Sequence, residues 1–242
     1  MILITGVNGV IGSEVANNLL KNGFKVLGVS LEKNSEIRHE NFTYLQLDIS
    51  EIDKVENVFK NYNLNSVIHL AAIVHKKSKL VSIDKMYEIN YFSAKKIFDY
   101  SIKYNIKNII FSSTVEIYNY NNKKIIDEKS SVNPKTNYAK SKKKAEEYLI
   151  KISRKNNINS TILRLAPVYS PDFMLNINKR IVLPKINYFY YFKEGEYKFN
   201  FCSLYNIVDF INILLFKNIQ FERTEIFNIS DSINFTAKEI IK

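Results

Sequence analysis

Three of the chain's six glycines fall within its first twelve residues, in the run Thr5-Gly6-Val7-Asn8-Gly9-Val10-Ile11-Gly12. The run follows an apolar, β-branched segment, Met1–Thr5, and opens a helix-period segment that continues to about Asn22. A strand, a glycine turn and a helix in that order strongly constrain a fold. One glycine permits the tight turn, one lets a ligand backbone approach, and Gly12 allows close packing of the helix. The helix N-terminus then offers free N–H groups to an anion such as a diphosphate. The spacing is GxxGxxG, one residue looser than the commonest dinucleotide fingerprint.

Downstream, short β-branched runs alternate with helical periods, the pattern of a parallel sheet with crossover helices. Strands are predicted at Lys25–Ser30, Phe42–Leu47, Ser66–Leu70, Asn108–Ser112, Ser160–Leu165 and Glu225–Ile229. Helices are predicted at Glu51–Tyr62, Ser82–Tyr104, Asn137–Lys155 and Leu204–Phe216. Apolar runs of four to six residues suit strands buried on both faces. The predicted fold class is α/β, a Rossmann-type doubly wound parallel sheet with its ligand at the carboxyl ends of the strands. Residues 1–165 and 203–230 form the dinucleotide-binding domain. Residues 166–202 and 231–242, with prolines at 167, 171 and 184 and the aromatic run Tyr188–Phe192, form a small substrate lobe that reads as incomplete. The aromatic run is expected as lobe core or strand.

Composition narrows the class. Hydrophobic residues make up 46% and charged residues 24%, an ordinary globular balance. Cys202 is the single cysteine, so no internal disulfide forms, and it reads as a small buried hydrophobe. His39, His69, His75 and Cys202 make no metal-binding spacing. Met1 to Ile4 carry no basic signal region, and the apolar run Phe210–Phe216 is broken by Asn212, which together predict a cytoplasmic protein with no membrane partner. The net charge of +11 comes from scattered lysines. The densest group, Lys140–Lys144, sits on a predicted helix, and no nucleic-acid recognition motif accompanies it.

The order of motifs resembles the extended short-chain dehydrogenase/reductase family, the NAD-dependent epimerases and dehydratases. After the glycine turn come Leu47-Asp48-Ile49, then His69-Leu70-Ala71-Ala72, then Asn90 in the long helix. Ser112-Ser113-Thr114-Val115-Glu116-Ile117-Tyr118 resembles the SS(S/T)xxxY turn, and Tyr138-Ala139-Lys140-Ser141-Lys142 the YxxxK motif. Leu163-Arg164 through Val168-Tyr169-Ser170-Pro171 and the late Phe227-Asn228-Ile229 complete the series. YxxxK also occurs at Tyr91/Lys95 and Tyr120/Lys124, but only Tyr138/Lys142 follows the Ser-Ser-Thr turn and opens a helix. The resemblance implies a catalytic Thr114, Tyr138 and Lys142. It implies a cofactor site of Gly6, Gly9, Val10, Ile11, Gly12, Ser30, Asp48, Ile49, Leu70, Ala71, Ala72 and Asn90, with Tyr138 and Lys142. It also implies a nucleotide-sugar substrate, a role in polysaccharide synthesis, and a homodimer formed by the two long helices. Tyr87, Tyr91, Ala94 and Phe98 supply apolar surface for that dimer.

In that site a phenol would exchange a proton with a substrate hydroxyl while hydride passes to or from the cofactor. A free tyrosine titrates near 10, so the neighbouring Lys142 ammonium, with the oxidised nicotinamide nearby, is expected to lower it. His69 is expected to be structural. Departures from the family pattern narrow the reaction. Val115 stands where dehydratases carry the first residue of an acid pair, which argues against a 4,6-dehydratase. Glu116 alone keeps a nucleotide-sugar decarboxylase open. Pro167 replaces the Asn of many epimerases and leans toward reduction. Ser30 replaces the usual Asp at the second strand's end, leaving NAD and NADP open. A non-catalytic NAD(P)-binding protein is the reading from a different class.

Overall fold

The computed structural model describes residues 1–74, 81–118, 125–183, 188–217, 219, 221 and 223–241. His75, Tyr120, Lys124 and Pro184 lie outside them.

Seven parallel strands form the central sheet: β1 Ile2–Thr5, β2 Val26–Ser30, β3 Phe42–Gln46, β4 Ser66–His69, β5 Asn108–Thr114, β6 Asn159–Leu165 and β7 Glu225–Ile229. Their order is β7-β6-β5-β4-β1-β2-β3. The direction of growth reverses beside β1, where β2 pairs on one side and β4 on the other. Such a switch point opens a crevice at the carboxyl ends of the strands. The expected doubly wound α/β fold is what forms.

Side-chain alternation divides the sheet between two cores. Ile2, Ile4 and Val26 face helices α1 (Val10–Lys21) and α7 (Leu204–Phe216). Leu3, Leu27, Val67 and Phe111 face the other layer. That layer contains α2 (Ile52–Asn61), α4 (Ala94–Lys103) and α5 (Asn137–Asn156). The central strands are buried on both faces, while the edge strand β3 is only half-buried.

The long helix expected over Ser82–Tyr104 is present but interrupted. A short α3, Ile83–Tyr87, runs into a π-helical turn, Glu88–Ser93, before α4 resumes. Ser93 Oγ donates to the Glu88 carbonyl at 2.9 Å, an i→i+5 reach that fits the wider turn.

Beyond β6 a small lobe gathers around Ile177, Ile181 and Phe201, with Ile240 and Ile241 packed against them. Helix α6 (Leu175–Ile181) supplies the first two, and α8 (Ala237–Ile241) the last two. Lys198–Phe199 pairs antiparallel with Phe235–Thr236, which joins the two lobe segments. The aromatic run corrects the sequence reading in part. Tyr188–Phe189 is a strand paired with Val182–Leu183, but it is not core: Tyr188 is 70% and Phe192 68% exposed. Aliphatics from α6 fill the interior these rings were expected to occupy. Cys202 is fully buried, as expected.

Candidate active site

The glycine turn crosses from β1 into α1, and each glycine has its own reason to lack a side chain. Gly6 has φ +71°, and a Cβ there would also stand 2.9 Å from the Ala71 backbone. Gly12 packs against the turn itself, since its Cβ would fall 2.2 Å from the Gly6 carbonyl oxygen. Gly9 caps α1 in an extended conformation, and a Cβ there meets only the Gly6 carbonyl oxygen, at 3.2 Å. That open side is the space a diphosphate needs at a helix N-terminus. Val10 and Ile11 continue the first turn of the helix.

The other predicted residues converge on the same edge. Gly6 N–H and Val7 N–H donate to the Val29 carbonyl at 2.8 and 3.3 Å, so Ser30, the next residue, borders the turn. Leu70, Ala71 and Ala72 follow β4, and Ala71 N–H donates to Thr5 Oγ1 at 3.2 Å. Asp48 and Ile49 follow β3. Ile49 is buried, and Asp48 Oδ1 accepts from Ser50 N–H and Ser50 Oγ. Asn90 clamps rather than reaches outward. It accepts from Ile73 N–H at 2.7 Å and donates to the Ile73 carbonyl and to Ser141 Oγ. The π-turn thus ties the loop after β4 to α5.

Helix α5 carries Tyr138 and Lys142 one turn apart. Thr136 Oγ1 caps it by accepting from Ala139 N–H at 3.1 Å. Its buried stripe is Ala139, Ser141, Lys142, Ala145, Glu146, Leu149 and Ile152, so two charges interrupt an otherwise small or apolar face. Glu146 is matched by Arg164 of β6, with Nε to Oε1 at 3.2 Å and Nη2 to Oε2 at 2.9 Å. Arg164 also donates to Tyr118 Oη at 2.7 Å, and Tyr118 donates to Asn228 Oδ1. This network was missed in the sequence. Its one signal was a Glu four residues beyond Lys142 on the same helix face.

Lys142 is the anomaly. It is 1% exposed, its ammonium lies 4.2 Å from the centre of the Phe111 ring, and Nζ has no hydrogen-bond partner. Burial pushes its pKa down to about 7, with Glu146 opposing. A buried ammonium without acceptors is costly unless a ligand supplies them. The ribose hydroxyls of a dinucleotide meet that need, and the open glycine turn meets the diphosphate's, so the residues present fit NAD or NADP.

Thr114 ends β5, buried, with its Oγ1 accepting from Glu116 N–H at 3.2 Å. Tyr138, in the first turn of α5, is the phenol beside Glu116. Burial raises its phenol pKa, and Glu116 raises it further. Glu116 also faces Arg180 of α6, whose cation it stabilises against burial. His69 stays neutral, its pKa held near 3 by burial and Lys142, with Nδ1 2.7 Å from Thr5 Oγ1 and its ring stacked on Phe111.

The chain as a whole is similar to known proteins. The model of the NAD dependent epimerase/dehydratase family matches residues 2–230. Protein CapI of Staphylococcus aureus is 30% identical over 182 residues, which are 70% of this chain and 54% of that protein. A UDP-glucuronate 4-epimerase of Thermodesulfobacterium geofontis is 27% identical over 70% of this chain and 56% of its own length. The chain therefore spans little more than half the length of these relatives. The crystal structure of the Thermotoga maritima UDP-glucose 4-epimerase with UDP-glucose superposes with a TM-score of 0.80 and 25% identity. It covers 99% of this chain and 79% of that one. Among the described residues no helix is long and apolar enough to cross a membrane.

Proposed function

Because the chain belongs to the NAD dependent epimerase/dehydratase family, we propose that it is an NAD(P)-dependent oxidoreductase or epimerase acting on a nucleotide-linked sugar. The observation that carries this reading is Lys142, buried and unpartnered one helical turn from Tyr138 and beside the strand ends. The names of its relatives favour epimerisation of a UDP-sugar over simple reduction.

In this reading Tyr138 holds the proton that leaves or returns to a sugar hydroxyl, and Thr114 hydrogen-bonds the same oxygen and sets its approach. Lys142 donates to the cofactor ribose and adds positive charge beside the phenol, against the opposing field of Glu116. NAD(P), held by the glycine turn and Lys142, would supply the hydride acceptor and donor. Glu116, between Tyr138 and Arg180, supports a second reading, decarboxylation of a nucleotide-linked uronate.

The test is incubation of the purified chain with NAD or NADP and a panel of UDP- and dTDP-linked hexoses and hexuronates, with products resolved by NMR. A stereoisomeric product supports the first reading, and loss of carbon dioxide the second. Binding of the cofactor with no turnover on any sugar would move the chain to the non-catalytic class.

A further inference from the structure

We propose that Glu32 is the residue that makes this chain select NAD over NADP. The proposal rests on the dinucleotide reading of the glycine turn. At the end of β2, where a carboxylate commonly holds the adenosine ribose, this chain has Ser30. The structure supplies the missing acid from two residues on. Ser30 Oγ donates to Glu32 Oε2 at 2.6 Å, which places a carboxylate against the residue that borders the glycine turn.

The loop that carries Glu32 is tied down. The Ser30 carbonyl accepts from Leu47 N–H at 2.8 Å, and the Leu31 carbonyl from Gln46 Nε2 at 3.0 Å. The Glu32 carbonyl accepts from the Tyr44 hydroxyl. Asn8, inside the glycine turn, donates to the Asn34 carbonyl at 2.9 Å and to Tyr44 Oη at 3.3 Å. The turn and the acidic loop are therefore one hydrogen-bonded unit, and Glu32 is held in place before any ligand arrives.

A carboxylate in that position accepts from a ribose 2′-hydroxyl and repels a 2′-phosphate. Of the two cations on this loop, Arg38 is turned elsewhere. Arg38 Nη1 donates to the Ser35 and Ile37 carbonyls of its own loop. Lys33 is exposed and adjacent in sequence, which makes it the comparator.

The experiment is calorimetric titration of the full chain with NAD and with NADP, for the wild type, Glu32→Gln and Lys33→Gln, each checked for folding by circular dichroism. The expected result is NAD binding at least about tenfold tighter in the wild type, the worth of one charge-assisted hydrogen bond. Glu32→Gln should bring the two affinities to within about threefold, and Lys33→Gln should leave the wild-type ratio in place. Equal affinities in the wild type, or a ratio unchanged in Glu32→Gln, would overturn the role of Glu32 while leaving the dinucleotide site standing. If neither cofactor bound the folded wild type, the dinucleotide reading would fall and the proposal with it.

Discussion

Arg164 and Glu146 form a buried ion pair, 3% and 0% exposed, that fastens strand β6, next to the sheet edge, to the helix carrying Tyr138 and Lys142. Through Tyr118 and Asn228 the same guanidinium reaches the turn after β5 and the edge strand β7. The elements that bear Thr114 and Tyr138 therefore share one anchor. Removing one partner leaves an uncompensated buried charge, which costs about 3–5 kcal/mol. Glu146→Gln should lose stability on that scale in urea denaturation. The double replacement Glu146→Met with Arg164→Met should lose less than the single change, because neither charge is then stranded. Additive losses would show that the pair is not coupled.

The glycines separate fold from binding. Gly12→Ala would push a methyl to 2.2 Å from the Gly6 carbonyl oxygen, so it should unfold or strongly destabilise the chain. Gly9→Val brings its Cβ to 3.2 Å from the Gly6 carbonyl oxygen at an extended backbone position, far less crowded than Gly12, and should stay folded with a modest loss of stability. It should nonetheless abolish cofactor binding, because the branched side chain fills the diphosphate's approach. Fluorescence titration with NADH checks it. Unchanged affinity in folded Gly9→Val would remove the glycine turn from the cofactor site.

The sheet was legible in the sequence because its signals are local. β-branched runs and a 3.6-residue period are enough to place Leu204–Phe216 and Glu225–Ile229 at their observed bounds. The glycine turn was legible because its geometry admits few other residues. What stayed hidden depends on distant partners. The π-turn at Glu88–Ser93 widens a helix without changing its composition. The pairing of Glu146 with Arg164 spans α5 and β6, and apolar spacing says nothing of it. Tyr138 sits beside Glu116 only because the turn after β5 folds against the start of α5, so the carboxylate's influence on the phenol could not be read from spacing.

The dimer expectation loses part of its basis and keeps the rest. Ala94 and Phe98 are fully buried in the chain's own core, so they offer nothing to a partner. Ile83 and Phe92 are each 55% exposed on the outside of the same long helix, where Lys144 covers the rings of Tyr87 and Tyr91. Light scattering at micromolar concentration should give a dimer mass, and Phe92→Lys should shift it toward the monomer. A wild-type monomer would refute the assembly.

Lys142 should weaken the protein it serves. Burial depresses its folded pKa to about 7, against about 10.4 for an unfolded lysine. Between those values the unfolded chain binds more protons, so this group's contribution to stability rises with pH across the window. Below pH 7 the penalty is present in full. Lys142→Met should therefore raise stability at pH 7 by a few kcal/mol, and its advantage should shrink as the pH approaches 10. Paired denaturation curves at pH 6.5, 8 and 9.5 measure the difference. An advantage that does not change with pH would mean that Lys142 is not a desolvated ammonium.

The catalytic assignment turns on two tyrosines that share one sequence pattern. Tyr138 is followed by Lys142, which is buried with an unpartnered ammonium. Tyr91 is followed by Lys95, whose ammonium instead pairs with Asp99 at 3.1 Å and lies 4.6 Å from the centre of the Tyr148 ring. Only the first pair has a cation available to a ligand and a position at the strand ends. Tyr138→Phe keeps the ring and should keep cofactor affinity, while lowering turnover by about 10² to 10⁴-fold, the worth of a positioned proton-transfer group. Tyr91→Phe should turn over within about twofold of the wild type, since its ring lies against Lys144 and its motif lysine is already paired with Asp99. Steady-state rates on the substrate found by the NMR panel decide it. Wild-type turnover in Tyr138→Phe would assign the proton to another group, with Glu116 the next to replace.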